Sequence, residues 1–278
     1  MLAKIRSAYD YLTETEKKIA DRVLFAPHEA VKMTAKELAQ ACGTVPSAVV
    51  RFCRSVGAQG FSDFKLSLSA QLGRSGHANA LLPIAQGDDA RQVFQKVFAS
   101  GVHTLQDTLA GIDFDQAEMV VRLLEKAARV VFFGIGTSSV VATDAQYRLA
   151  QLGVPASACT DTLFMNVTAA NLRPGDVAVA LSHSGSTRAT VDAIARAKAA
   201  GAVTVAITSF PNSRLAKGCD WRLIAFPDDT NYPVEAVSAR GAHFCILDAL
   251  MMSLAARSQV GLDKLLSRRN EVLKQMRY

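Results

Sequence analysis

The sequence predicts two architectures in succession: an all-α helix-turn-helix domain over residues 1–73 and an α/β domain over residues 90–278, joined by a linker at 74–89. The second is expected to be a doubly wound, five-stranded parallel sheet. Three observations carry this. Helical periodicity fills the chain up to "GRSGHANALLPIAQGDD", where glycine, proline and small polar residues interrupt it. Beyond about residue 128, apolar β-rich runs alternate with helical patterns, as in a sheet covered on both faces. Two of those runs end in turns rich in glycine and hydroxyls, "GIGTSS" and "SHSGST", each leading directly into a helix.

Composition bounds the answer further. The chain has 278 residues, and 50% are apolar, enough for a packed core. Its five cysteines (Cys42, Cys53, Cys159, Cys219, Cys245) are odd in number, scattered and never in a C-x-x-C pair. That spacing argues against a disulfide framework and a zinc site and fits a reducing cytoplasm; neither metal nor cofactor is expected. The N-terminus is charged throughout, and no stretch approaches 18 uninterrupted apolar residues, so neither a signal peptide nor a membrane span is expected. A net charge of +6 and a pI near 9.1 lean toward a polyanionic partner.

In the first domain, "TETE" (Thr13 to Glu16) and "TAKE" (Thr34 to Glu37) have the capping-box pattern, and each opens a helix. The helix after Thr13 carries Ile19, Ala20, Val23 and Leu24 on one face and stops near Pro27. The helix after Thr34 turns Leu38 and Ala39 inward and ends at Gly43. A third follows at once, "PSAVVRFCRSVG", with Val49, Val50, Phe52 and Cys53 for packing and Arg51 and Arg54 for projection. A short helix, a tight turn and an Arg-bearing helix form the layout of a DNA-reading unit. Candidate DNA contacts are Thr34, Thr44, Ser47, Arg51, Arg54 and Lys65. With ten Lys/Arg against seven Asp/Glu in residues 1–73, the charge excess is modest, and a purely structural bundle is the competing reading.

After the linker, Val93, Val97, Val102, Leu105 and Leu109 recur at helical spacing and are expected to pack beneath the sheet or against a partner chain. A second helix follows at "DQAEMVVRLLEKA". Strands are expected at 129–134, 154–159, 176–182, 203–208 and 221–226, with helices between them. The C-terminal stretch, residues 257–278, holds six Lys/Arg and two acidic residues and reads as a solvated helix with Leu262, Leu265, Leu266 and Leu273 as a docking face.

A strand that ends in a Gly/Ser turn brings small hydroxyls and backbone N–H groups to the positive end of the next helix, which is an anion site. Candidate ligand contacts are Gly136, Thr137 and Ser138 in the first turn and Ser182, His183, Ser184, Gly185, Ser186 and Thr187 in the second. Each hydroxyl can donate one bond to a phosphate oxygen, and Gly185 lets the backbone come close. A dinucleotide is not expected. The third glycine of G-x-G-x-x-G is replaced by Ser139, and no acidic residue ends the second strand.

"FFGIGTSS" with "ALSHSGSTRATVDAIARAKAAGAVTVAIT" resembles the sugar isomerase (SIS) domain, whose sheet is flavodoxin-like. "LTETEKKIADRVL", "MTAKELAQACGT" and "VVRFCRSVGAQGFSDFK" resemble the helix-turn-helix of the RpiR family of bacterial transcription regulators. The resemblance implies a regulator that binds operator DNA, responds to a phosphorylated sugar or sugar acid, and self-associates as a dimer or tetramer, with no membrane partner. It places Ser138, Ser182, Ser184 and Thr187 at ligand-contacting positions. The chain departs from the family at the reading helix, with Thr44-Val45 for a Val-Ser turn and Ala48 for a Thr; Thr44 is then the candidate cap. SIS domains also occur in aldose–ketose phosphate isomerases. Glu235, in "NYPVEAVSARGAHF", is a further candidate ligand contact, to a sugar hydroxyl; it also matches an acidic position that some of these use as base, so isomerisation is the alternative function. His243 on the following helix reads as a packed residue.

Overall fold

The structure, a computed structural model, describes residues 1–25, 27–74, 84–227, 237–257 and 262–276. Two compact units divide the described residues, Met1–Val102 and those from His103 onward. The residues 75–83 of the expected linker, and residues 258–261 and 277–278, lie outside the described residues.

In the first unit the helices are α1 (Leu2–Ala8), α2 (Glu14–Phe25), α3 (Pro27–Ala30), α4 (Ala35–Ala41), α5 (Pro46–Ser55) and α6 (Phe61–Arg74). Both capping boxes form. The Thr13 N–H donates to Glu16 Oε2 at 3.0 Å and the Glu16 N–H to Thr13 Oγ1 at 3.4 Å. The Thr34 N–H donates to Glu37 Oε2 at 2.7 Å and the Glu37 N–H to Thr34 Oγ1 at 3.2 Å. Thr34→Ala is therefore expected to cost this unit about 1 kcal/mol. An unchanged denaturation midpoint would show that the box contributes nothing. The α4–α5 turn closes with the Thr44 N–H on Ala39 O at 2.9 Å. Ile5, Ile19, Leu38, Phe52, Phe64 and Leu68 fill the core, and Phe52 meets Phe64 edge to face at 5.7 Å. Burial of each such side chain contributes about 1.5–3 kcal/mol. Cys53 belongs to this packing, and burial pushes its thiol up to about 12, out of the reactive range.

Helix α7 (Ala90–Gly111) runs through the boundary between the units, and α8 (Phe114–Lys126) follows. The sheet consists of β1 (Arg129–Gly134), β2 (Ala156–Cys159), β3 (Asp176–Leu181), β4 (Val203–Thr208) and β5 (Trp221–Ile224), all parallel, in the order β2-β1-β3-β4-β5. Between the strands run α9 (Thr137–Gln151), α10 (Thr162–Ala170), α11 (Arg188–Ala199) and α12 (Arg214–Gly218); α13 (Val237–Arg257) and α14 (Leu262–Met276) come last.

Alternation along β1 explains the two layers. Val130 and Phe132 face a core made with α8, α9 and α13. Val131 and Phe133 face the opposite core, made with α10 and α11 and closed by Leu215 of α12. The expected strand ends differ in three places: β2 starts at Ala156, β3 ends at Leu181, and β5 ends at Ile224. At β2, Pro155 has no N–H to give and contributes only its carbonyl, which accepts from the Val130 N–H at 2.9 Å. Helix α13 has the length and hydropathy of a membrane span, but Ala242, Ile246, Leu247, Leu250 and Leu254 are buried in the first of these cores.

Candidate functional site

Strand order fixes where the two hydroxyl-rich turns meet. The chain leaves β1 toward β2 on one side and β3 toward β4 on the other, so β1 and β3 flank the switch in direction at which doubly wound sheets bind ligands. Gly134, the last residue of β1, is in register with Leu181, the last of β3. The turns therefore leave the sheet side by side.

The first turn is shaped by close packing. A Cβ on Gly134 would lie 2.6 Å from the Ser138 carbonyl oxygen, so only glycine lets α9 start this near the strand. Gly136 and Thr137 are exposed, Ser138 is buried, and Ser139 Oγ donates to Gly136 O at 2.6 Å. In the second turn Ser182 is buried. Its Oγ accepts from the Gly185 N–H at 3.1 Å and lies 3.3 Å from Thr187 Oγ1. Ser184 and Thr187 are half-buried and Ser186 is exposed. The Ser186 N–H donates to Ser184 Oγ at 3.3 Å.

Helix capping distinguishes these turns from their neighbours. In the same unit, α8, α10 and α12 are capped by the side chains of Asp113, Asp161 and Ser213. Helices α9 and α11 have Gly136 and Thr187 as N-caps, with no side-chain cap bond. At α9 the Ser138 and Ser139 N–H groups already donate to Ile135 O at 3.2 Å and Gly136 O at 3.1 Å, so what the two helix starts have in common is the partial positive charge of their first turns, a setting that suits an anion.

A third turn, after β4, was not singled out in the sequence and braces the second. His183 O accepts from Thr208 Oγ1 at 3.0 Å and from the Ser209 N–H at 3.1 Å, and Gly185 O accepts from the Leu215 N–H at 3.0 Å. His183 Nδ1 lies 3.0 Å from Ser209 Oγ, which lies 3.5 Å from His243 Nε2. The Ser209 hydroxyl can donate to one ring and accept from the other, so a polar chain runs from the turn to α13. His243 is thus packed, as its neighbours imply, but it also anchors this chain. Burial, and then the nearby His183, pushes its imidazole down to about 3, so it is neutral in the fold. "TSFPNS" was the available signal, since it is another hydroxyl-bearing strand-to-helix turn. Glu235 lies outside the described residues.

In the first unit, Ser47, Arg51 and Arg54 project from one exposed face of α5, while Ala48, Val49, Phe52 and Cys53 turn inward. Three other candidates sit differently. The Thr34 hydroxyl is engaged by Glu37 at 2.9 Å. Lys65 donates to Met33 O at 2.9 Å and lies over the Phe61 ring, which ties its ammonium to the bundle rather than to the face of α5. Thr44 is half-buried and does not cap α5; Val45 is the N-cap, without a side-chain bond, and Pro46 occupies the first turn.

A helix-turn-helix unit combined with an anion-type crevice at the switch point of a doubly wound sheet defines a class, the DNA-binding regulator with a sensing domain. Comparison with known proteins agrees. The profile described as the helix-turn-helix domain of the rpiR family matches residues 1–75, and that of the SIS domain matches residues 123–253. An uncharacterized HTH-type transcriptional regulator of Caldanaerobacter subterraneus is 31% identical, over 98% of this chain and 96% of its own. HexR, an HTH-type transcriptional regulator of Escherichia coli, is 30% identical over 100% of this chain and 96% of its own. The structure of Vibrio vulnificus NanR complexed with ManNAc-6P matches 100% of this chain and 99% of its own, with a TM-score of 0.63 and 26% identity. The chain belongs to the RpiR family of HTH-type transcriptional regulators.

Proposed function

We propose that this regulator is cytoplasmic, binds operator DNA through α5 as a self-associated dimer or tetramer, and senses a phosphorylated sugar or sugar acid without chemically converting it. The observation that carries the sensing is the pair of uncapped helix N-termini, α9 and α11, which leave adjacent strands beside the hydroxyls of Ser138, Ser182, Ser184, Ser186 and Thr187. Gly136, Thr137 and Gly185 supply backbone, and His183 faces the same ligand. The phosphosugar complex of NanR supports the assignment of ligand class. The naming of relatives as transcriptional regulators favours sensing over isomerisation at Glu235. The domain boundaries that go with this reading are 1–73 for DNA binding, 74–89 for the linker and 90–278 for sensing.

The mechanism is linkage. A ligand that prefers one arrangement of the assembled chain changes DNA affinity by its differential binding, typically about 1–3 kcal/mol, or roughly 5- to 150-fold. A thermal-shift series of hexosamine, hexose and pentose phosphates beside their unphosphorylated parents tests the sensing half. A rise confined to phosphorylated members is expected, and it should shrink in Ser184→Ala while DNA binding is retained. Equal shifts with and without phosphate would remove the anion site. For the DNA half, Arg51→Ala should weaken binding to operator duplex and lower the dependence of log K on log salt by about one if Arg51 holds a phosphate. Unaltered affinity in that variant would move the contact face away from α5.

A further inference from the structure

Helix α7 is amphipathic in the opposite sense to the helices around it. Its buried side chains are hydroxyls, Ser100, Thr104 and Thr108, spaced four apart along one face. Thr108 Oγ1 accepts the Phe226 N–H at 3.0 Å, so the segment just beyond β5 uses this face. Val93 and Val97 are half-buried, and the other large apolar residues lie outward. Phe94, Phe98, Val102, Leu105 and Leu109 are all exposed, from 41% at Leu105 to 70% at Phe98. At 100° per residue they fall within an arc of about 80°, a continuous stripe along a helix about 33 Å long. The Phe94 and Phe98 rings stack on each other at 6.4 Å.

The spacing identifies the occupant. The stripe is symmetric about the point midway between Gly101 and Val102: Phe98 and Leu105 are equally far from it, and so are Phe94 and Leu109. An antiparallel second copy of α7, related by a two-fold axis through that point, sets Phe98 on the partner's Leu105 and Phe94 on the partner's Leu109. Gly101 sits at the crossing, where a Cβ would meet nothing within 4 Å and the absence of a side chain lets two backbones approach. The five side chains expose on the order of 500 Å² per copy, as much as the largest apolar patch on a typical monomer; a pair covers roughly 1,000 Å², where specific interfaces begin.

We propose that the outward face of α7 is the seam through which two copies of this chain pair, antiparallel, about an axis between Gly101 and Val102. The proposal rests on the reading of the chain as self-associating and adds the surface and its orientation.

The test measures the mass of the full chain in solution. Wild type should be a dimer or a larger even assembly, and Phe98→Glu with Leu105→Glu, which opposes like charges across the axis, should halve that mass without changing the circular dichroism spectrum. In a Cys245→Ser background, Val102→Cys should form an intermolecular disulfide on oxidation and Leu109→Cys should not, because only residues near the axis meet their own copies. A monomeric wild type would overturn the self-association reading itself. An assembly that keeps its mass in the double-Glu variant would overturn the seam alone and point to another occupant, such as a different part of the same chain. Equal cross-linking at both positions would overturn the antiparallel arrangement.

Discussion

Gly185→Ala should lower the melting temperature of the α/β unit by about 10 °C and abolish the response to a phosphorylated ligand. Gly185 has a φ of +61°, where an L-residue costs about 1–2 kcal/mol. The added methyl would also lie 2.1 Å from Ser213 Oγ and 2.8 Å from Thr208 Oγ1. Neither oxygen can yield cheaply. Ser213 Oγ accepts from the Ala216 N–H at 3.2 Å to cap α12, and Thr208 Oγ1 donates to His183 O at 3.0 Å. Two lost hydrogen bonds at about 1 kcal/mol each bring the cost to about 3–4 kcal/mol. At roughly 2–4 °C per kcal/mol for a unit of this size, the shift is large enough to read directly. A variant melting within a degree or two of wild type would mean that the turn is not held against the β4–α12 loop.

The second large effect is on pH dependence and comes from His243. An imidazole in the unfolded chain gains its proton near pH 6.5, whereas the buried His243 resists it down to about 3. Between those values the unfolded state binds more protons, so stability falls as pH falls. At pH 5 the loss from this one group is about 2 kcal/mol, because 1.5 pH units below 6.5 at 1.36 kcal/mol each favour unfolding. Wild type should therefore melt several degrees lower at pH 5 than at pH 7.5. His243→Gln, which cannot titrate, should show a visibly smaller difference. An identical pH slope in the two proteins would exclude His243 as its source.

Much of the architecture was legible because it depends on local rules. The two capping boxes, the glycine stop at Gly43 and the alternation of strands with helices are short-range patterns, and all of them appear. So was the part of the crevice contributed by "GIGTSS" and "SHSGST", since strand-to-helix turns in a parallel sheet must emerge at its carboxyl edge. Strand ends were less so. Where β2 starts depends on the neighbouring strand: the Pro155 carbonyl accepts from the Val130 N–H of β1, but Pro155 has no N–H to give in return.

Tertiary structure decided which partners the hydroxyls and cations meet. Thr34 and Lys65 read as DNA contacts by residue type; in the fold each also donates one bond, to Glu37 and to Met33 O, and the Lys65 partner is fixed by how the helices pack. The bond from Ser209 to His183 joins residues 26 apart in sequence, and no spacing rule within one turn reveals it. Helix α7 makes the same point. Periodicity alone grouped Val93, Val97, Val102, Leu105 and Leu109; in the packed chain Val102, Leu105 and Leu109 point outward, whereas Val93 and Val97 are half-buried on the side of the buried Ser100, Thr104 and Thr108. A sequence determines which side chains share a face, because helix and strand periods are local. Which face meets the core is settled by competition among all the elements for the same buried volume.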